Sequence, residues 1–103
     1  MARVESSDSS IHDLVDIVKY ISKDSERQAR LQFRRLIRRC DILEQFPRIG
    51  RVVRGLKSRN VRELIEGNYR IIYQIVNEDL IHILSFRHTK RKLKISELRK
   101  LIR

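Results

Sequence analysis

The feature that most constrains this chain is a change of hydrophobic period at its only proline, Pro47. Before Pro47, apolar residues recur every three or four positions. After it, they alternate. Ile11, Leu14, Val15, Val18 and Ile21 form one helical stripe, and Ala29, Phe33, Leu36, Ile37, Cys40 and Leu43 form another. The spacing predicts a first helix over about 9–22 and a second running to about 45. Ser10 with Asp13, and Ser25 with Gln28, stand at capping-box spacing. A break at 23–25 makes the pair an antiparallel hairpin, and both stripes are expected to be core. Cys40 lies on the second stripe and reads as a buried core cysteine.

Gly50, Gly55 and scattered basic residues make 47–60 a loop. Stretches 61–65, 69–76 and 80–86 are rich in β-branched and aromatic residues and read as strands. Gly67-Asn68 is a two-residue hairpin turn, with glycine supplying the positive φ of a type II′ turn. A short strand is expected at 2–5. Leu93, Ile95, Leu98, Leu101 and Ile102 predict a terminal amphipathic helix. The expected fold is therefore α+β, a strand, two helices and a three-stranded meander. The helical hairpin packs on one face of a small, mostly antiparallel sheet, and the other face or its rim is free for function. Residues 1–92 are expected to be one domain, and 93–103 a basic helix or tail.

Charge narrows the function classes. The chain has 24 Lys plus Arg against 13 Asp plus Glu, a formal net charge of +11. Such a surplus favours polyanionic partners. It is also uneven, with six basic and no acidic residues from Phe46 to Arg62, and eight basic residues and one acid from Arg87 to Arg103. Uneven charge implies a basic face. The expected contacts to a target or nucleic acid are Arg48, Arg51, Arg54, Lys57, Arg59, Arg62, Lys90, Arg91 and Lys92. The single cysteine leaves no intrachain disulfide, and no Cys/His spacing suggests zinc. No glycine-rich phosphate loop is present. Neither metal nor cofactor is expected. With no membrane-length apolar run and no signal-like N-terminus, the expected location is the cytoplasm, without membrane contact.

Four stretches resemble the RelE/ParE toxin superfamily, closest to its ParE branch. Residues 13–25, Asp13-Leu14 through Tyr20-Ile21 and Asp24-Ser25, are similar to the pattern DLxxIxxYIxxDS. Phe46-Pro47-Arg48-Ile49-Gly50-Arg51 is similar to FPxxGR. Val61-Arg62-Glu63-Leu64 with Tyr69-Arg70-Ile71-Ile72-Tyr73 is similar to xRELxxxxYRIIY. Residues 83–91, Ile83-Leu84 through Arg87-His88-Thr89-Lys90-Arg91, are similar to a stretch ending RHGRR, with Thr89 where glycine is common. The resemblance covers about 4–92. It implies a RelE/ParE-like fold, an antitoxin whose acidic segment silences the chain, and a shared operator DNA site. It leaves two targets open: DNA gyrase, which ParE-type members poison, and the ribosome, where RelE-type members cut mRNA. A non-toxic nucleic-acid-binding relative is a third reading.

Metal-free RNA cleavage needs a base, a cation for the phosphate and an acid. By resemblance Arg70 takes the phosphate role, with Arg87 and His88 as further catalytic candidates on the RelE-like reading. The plain alternative for Arg70 is a surface arginine paired with Glu63 or Glu66. RelE-type enzymes carry lysines where this chain has Val61 and Glu63, and no tyrosine follows Tyr73. The resemblance therefore favours the gyrase reading. His82 reads as a packing or edge residue, and His12 as a surface residue. Tyr69 and Tyr73 share a strand face and are expected in the core.

Overall fold

We describe the chain from a computed structural model that covers residues 1–103. Strand β1 (Arg3–Ser6) leads into helix α1 (Asp8–Ser22) and helix α2 (Glu26–Ile42). Strands β2 (Arg51–Val52), β3 (Val61–Glu66), β4 (Tyr69–Asn77) and β5 (Leu80–His88) follow, then helix α3 (Ile95–Leu101). The sheet order is β1-β5-β4-β3-β2. β1 runs parallel to β5, and the other pairings are antiparallel. No helix is long and apolar enough to cross a membrane.

The helix starts are set by serines, as the sequence indicates, but the first cap is Ser7 rather than Ser10. The Ser7 hydroxyl accepts from the Ser10 N–H at 3.0 Å and donates to the Leu84 carbonyl at 3.3 Å. Several serines between 6 and 10 have the local chemistry of a cap. The contact to β5 selects one of them. Ser10 lies fully buried in the first turn, its hydroxyl donating to the Ser7 carbonyl at 2.8 Å. Ser25 caps α2 by accepting from the Gln28 N–H at 3.1 Å. Gly67, at φ +59°, makes the β3–β4 turn.

Each sheet face carries its own core. On the first face, Leu36 and Cys40 of α2 and its C-cap Leu43 pack with Leu64, Tyr69, Ile71, Tyr73, Ile75, Ile81, Ile83 and Phe86, and Leu14, Ile17 and Ile21 of α1 close over them. On the second face, Val53, Val61, Ile72 and Leu84 surround Leu98 of α3. A register shift between Ile72 and Tyr73 pairs them with Ser85 and Ile83, which leaves Leu84 as an extra residue in β5. That bulge lets Leu84 join the second core while Ile83 and Phe86 stay in the first.

Three expectations need correction. The helical stripes are not wholly core, because Ile11, Val15, Phe33 and Ile37 are 37–51% exposed. The apolar arc of each helix is wider than the sheet beneath it can cover. The 47–60 stretch is not all loop, since β2 extends the sheet there. Two residues are too few for a period to register. The second face is not left open either, because α3 and Leu93 cover part of it.

Candidate functional site

β3 and β4 present Glu63 and Arg70 on the second sheet face, alongside Val61 and Ile72, as strand alternation requires. The uncovered part of this face is a cleft of about 610 Å³. Arg51, Arg54, Glu63 and Arg70 supply its polar wall, and Val52, Val53, Leu93 and Ile95 its apolar wall. Glu63 is 5% exposed and sits between two cations. The Arg51 Nε donates to Glu63 Oε1 at 2.6 Å, and the Arg70 guanidinium lies 3.9 Å from Oε2. Arg70 also donates to the Thr89 carbonyl at 2.6 Å. A buried carboxylate needs such partners, and removing one leaves an uncompensated charge.

The cleft is held in shape by the segment that precedes it. Tyr73 is fully buried, and its hydroxyl donates to the Pro47 carbonyl at 2.7 Å while accepting from the Gly50 N–H at 2.9 Å. A Cβ at Gly50 would stand 2.6 Å from that hydroxyl and 2.7 Å from the Glu63 carbonyl oxygen. Glycine is required there by close approach. Arg62 donates to the carbonyls of Arg48, Gly50 and Arg59 at 3.0–3.1 Å. Its guanidinium thus organises the loop from within. Arg48, Arg54, Lys57 and Arg59 are exposed on that loop, and the Arg51 side chain is 75% exposed.

Arg87 stands directly across from Arg70 in the β4–β5 register, so the structure brings these two candidates together. Arg87 is 7% exposed and donates to the Ser85 hydroxyl at 3.0 Å and to Glu97 of α3 at 2.9 Å. That hydrogen bond holds the Glu97 carboxyl below its ordinary range. His88 points to the opposite face. Its ring meets Tyr69 edge-on with centroids 5.3 Å apart, and its Nδ1 accepts from the Lys90 N–H at 3.1 Å. Lys90, Arg91 and Lys92 are exposed just beyond β5. His12 is exposed on α1. His82 is half-buried with its Nδ1 unpartnered, and burial, followed by nearby Arg103, pulls its pKa down. Burial pushes the Cys40 thiol up to about 12, which suits a core residue and not a nucleophile. No group of three His, Cys, Asp or Glu side chains is placed to hold a metal ion.

Glu97 escapes a reading of motifs, and Asp13, though it opens the first motif, has a role that its spacing does not give. Glu97 is the one acid in a run of basic residues, and that isolation is the signal that it has a fixed partner. Asp13 accepts from the Ser85 hydroxyl at 2.7 Å and from the Phe86 N–H at 3.1 Å, capping the edge of β5 beyond the end of β1. Chemically, the second-face cleft offers cations held by a carboxylate. Both Glu63 oxygens face guanidinium groups, and the nearest histidine candidate lies across the sheet.

The comparisons with known proteins bear on the family and the fold. A family model described as the ParE toxin of the type II toxin–antitoxin system, parDE, matches residues 4–93. A search of curated proteins gave no match. A solved structure described as the chromosomal ParDE TA system from P. aeruginosa is similar, with a TM-score of 0.70 and 19% identity. The match covers 87% of this chain and 98% of that one. At that identity the likeness speaks for the fold.

Proposed function

The chain belongs to the ParE toxin family of type II toxin–antitoxin systems, and from that premise we propose that it arrests growth by binding and poisoning DNA gyrase, without catalysis of its own. The observation that carries this reading is Glu63, seated between Arg51 and Arg70. A ribonuclease needs a free base and a free cation on one face. Here Glu63 Oε1 accepts from Arg51 and Oε2 lies 3.9 Å from the Arg70 guanidinium, Arg70 is held by Thr89, Arg87 is held by Glu97, and His88 faces the other way. What the chain keeps free is an exposed basic rim, which suits docking to a large target.

The partner that silences it is an acidic, amphipathic antitoxin segment. The basic segments 48–62 and 93–103 offer it charge. A groove between α1 and α2 offers it an apolar seat as well. That groove holds about 420 Å³ and is lined by Ile11, Leu14, Val15, Val18, Lys19 and Phe33. Arg30 and Arg34 flank Phe33 along α2. An acidic helix laid there meets apolar side chains along its centre and cations at its rim.

Two assays on the purified chain test the target, gyrase supercoiling and ribosome-programmed mRNA cleavage, each with Arg70→Ala alongside. Inhibited supercoiling with intact mRNA is the expected result. mRNA cut at the ribosomal A site, and spared by Arg70→Ala, would overturn the gyrase reading in favour of an mRNA endonuclease.

A further inference from the structure

We propose that a second cleft, on the hairpin side of the sheet, binds an unpaired guanine base of a single-stranded nucleic acid. This cleft holds about 640 Å³ where α1 meets the open end of the β4–β5 hairpin. Its polar lining comes from Asp13, Asp16, Tyr20, Asn68, Tyr69, His88 and Arg91, and from Arg87, whose guanidinium is taken up by Ser85 and Glu97. In the cleft around Glu63 the charged groups engage one another. Here the Asp16 carboxylate, the Asn68 amide, both tyrosine hydroxyls and the Arg91 guanidinium make no hydrogen bond within the chain. His88 uses Nδ1 to accept from Lys90, which leaves Nε2–H as a donor. Asp13, one turn from Asp16, has both its contacts on Oδ2 and leaves Oδ1 open.

The composition of the cleft selects its ligand. The open carboxylate oxygens of Asp16 and Asp13 call for hydrogen-bond donors. The exposed Tyr20 ring and the Tyr69–His88 edge pair call for a flat, apolar body. Among the nucleobases, guanine alone presents two adjacent donors, N1–H and N2–H, which match the two oxygens of one carboxylate. Adenine, cytosine and uracil each present a single donor group on that edge. Arg91, with Lys90 and Lys92 beside it, stands at the rim where the phosphates of a strand would run. A cationic peptide side chain would also suit aromatics and carboxylates, but Arg91 at the rim repels it.

The test is calorimetric titration of the whole chain with GMP, AMP, CMP and UMP, with short single strands carrying one central guanine or adenine, and with an arginine-rich peptide. The expected result is a guanine strand bound about tenfold more tightly than the adenine strand, and more tightly than GMP. Asp16→Asn keeps one acceptor but turns a donor toward guanine, and Tyr20→Ala removes the stacking surface. Each is expected to abolish the base preference, while Arg27→Ala, exposed on α2 outside both clefts, preserves it. Both positions are exposed, so melting curves should match the parent. Equal binding of all bases, or a preference that survives both variants, would overturn the proposal. GMP bound as tightly as the strand would overturn the single-strand assignment, and peptide binding lost in Asp16→Asn without base preference would replace it with a cationic partner. None of these outcomes depends on gyrase.

Discussion

The Tyr73 hydroxyl joins two sequence motifs through two hydrogen bonds, and it is buried where water cannot replace either partner. Tyr73→Phe leaves the Gly50 N–H and the Pro47 carbonyl without that hydroxyl. The expected loss is about 1–3 kcal/mol by denaturant unfolding. Gly50→Ala is expected to cost at least as much, since its Cβ meets backbone at Glu63 and cannot be relieved by a side-chain rotation. Glu63 makes a different prediction. Glu63→Gln keeps the shape but removes the charge that holds Arg51 and Arg70. Binding of inorganic phosphate, followed by calorimetry, is then expected to rise severalfold over the parent chain, and unchanged binding would refute the neutralising role assigned to Glu63. The identity of these residues is legible in the sequence, as is the possibility that Arg70 pairs with Glu63. The face each one occupies is not. Arg87 and His88 are neighbours in sequence, and the period of two sends them to opposite sides.

At the scale of elements, α3 shows how little a short helix owes to itself. Seven residues are too few to hold a helix in water, and its N-cap, Lys94, makes no side-chain capping bond. Packing of Leu98 into the second core holds it, with Glu97 on Arg87 and Gln74 gripping the Arg103 backbone at 2.9 and 3.3 Å. Leu98→Ala is expected to cost about 2–5 kcal/mol. The Glu97 contact has a pH signature. Its carboxyl titrates below the ordinary range when folded, so its stabilisation is present above the unfolded pKa and is lost as pH falls through the folded one. The melting-temperature gap between the parent and Glu97→Gln is expected at neutral pH and should begin to narrow as pH falls below about 4.3, the ordinary glutamate value. A gap that is constant with pH would exclude the ion pair as its source. The strands and helices were legible because each spans at least one full period of its pattern. β2 is shorter than that. The exposed half of the α1 and α2 stripes was hidden because periodicity reports an apolar arc, not how much of it a neighbour covers.

The whole molecule carries a charge of +11 on 103 residues, and the acids that offset it are partly committed inside, as Glu63 and Asp13 are. The surface is therefore more basic than the count suggests, and one property follows for the free chain and another for its complexes. In the free chain, like charges crowd α2, loop 48–62 and the tail, so folding works against self-repulsion. Salt shortens the Debye length from about 30 Å at 0.01 M to about 3 Å at 1 M and screens that repulsion. The buried Glu63 pairs are screened far less. The melting temperature is thus expected to rise as sodium chloride is added. Association with an acidic partner depends on the same field with the opposite sign. Its rate constant should fall by about tenfold or more over that range, while the dissociation rate, set by the apolar groove, changes little. Val15→Asp, in the groove and 44% exposed, should reverse the emphasis by speeding dissociation and sparing the association rate's salt dependence. Thermal unfolding and surface-plasmon kinetics in matched salt series read both quantities. If stability fell with salt, exposed ion pairs rather than net repulsion would dominate this surface, and the steering argument would lose its basis.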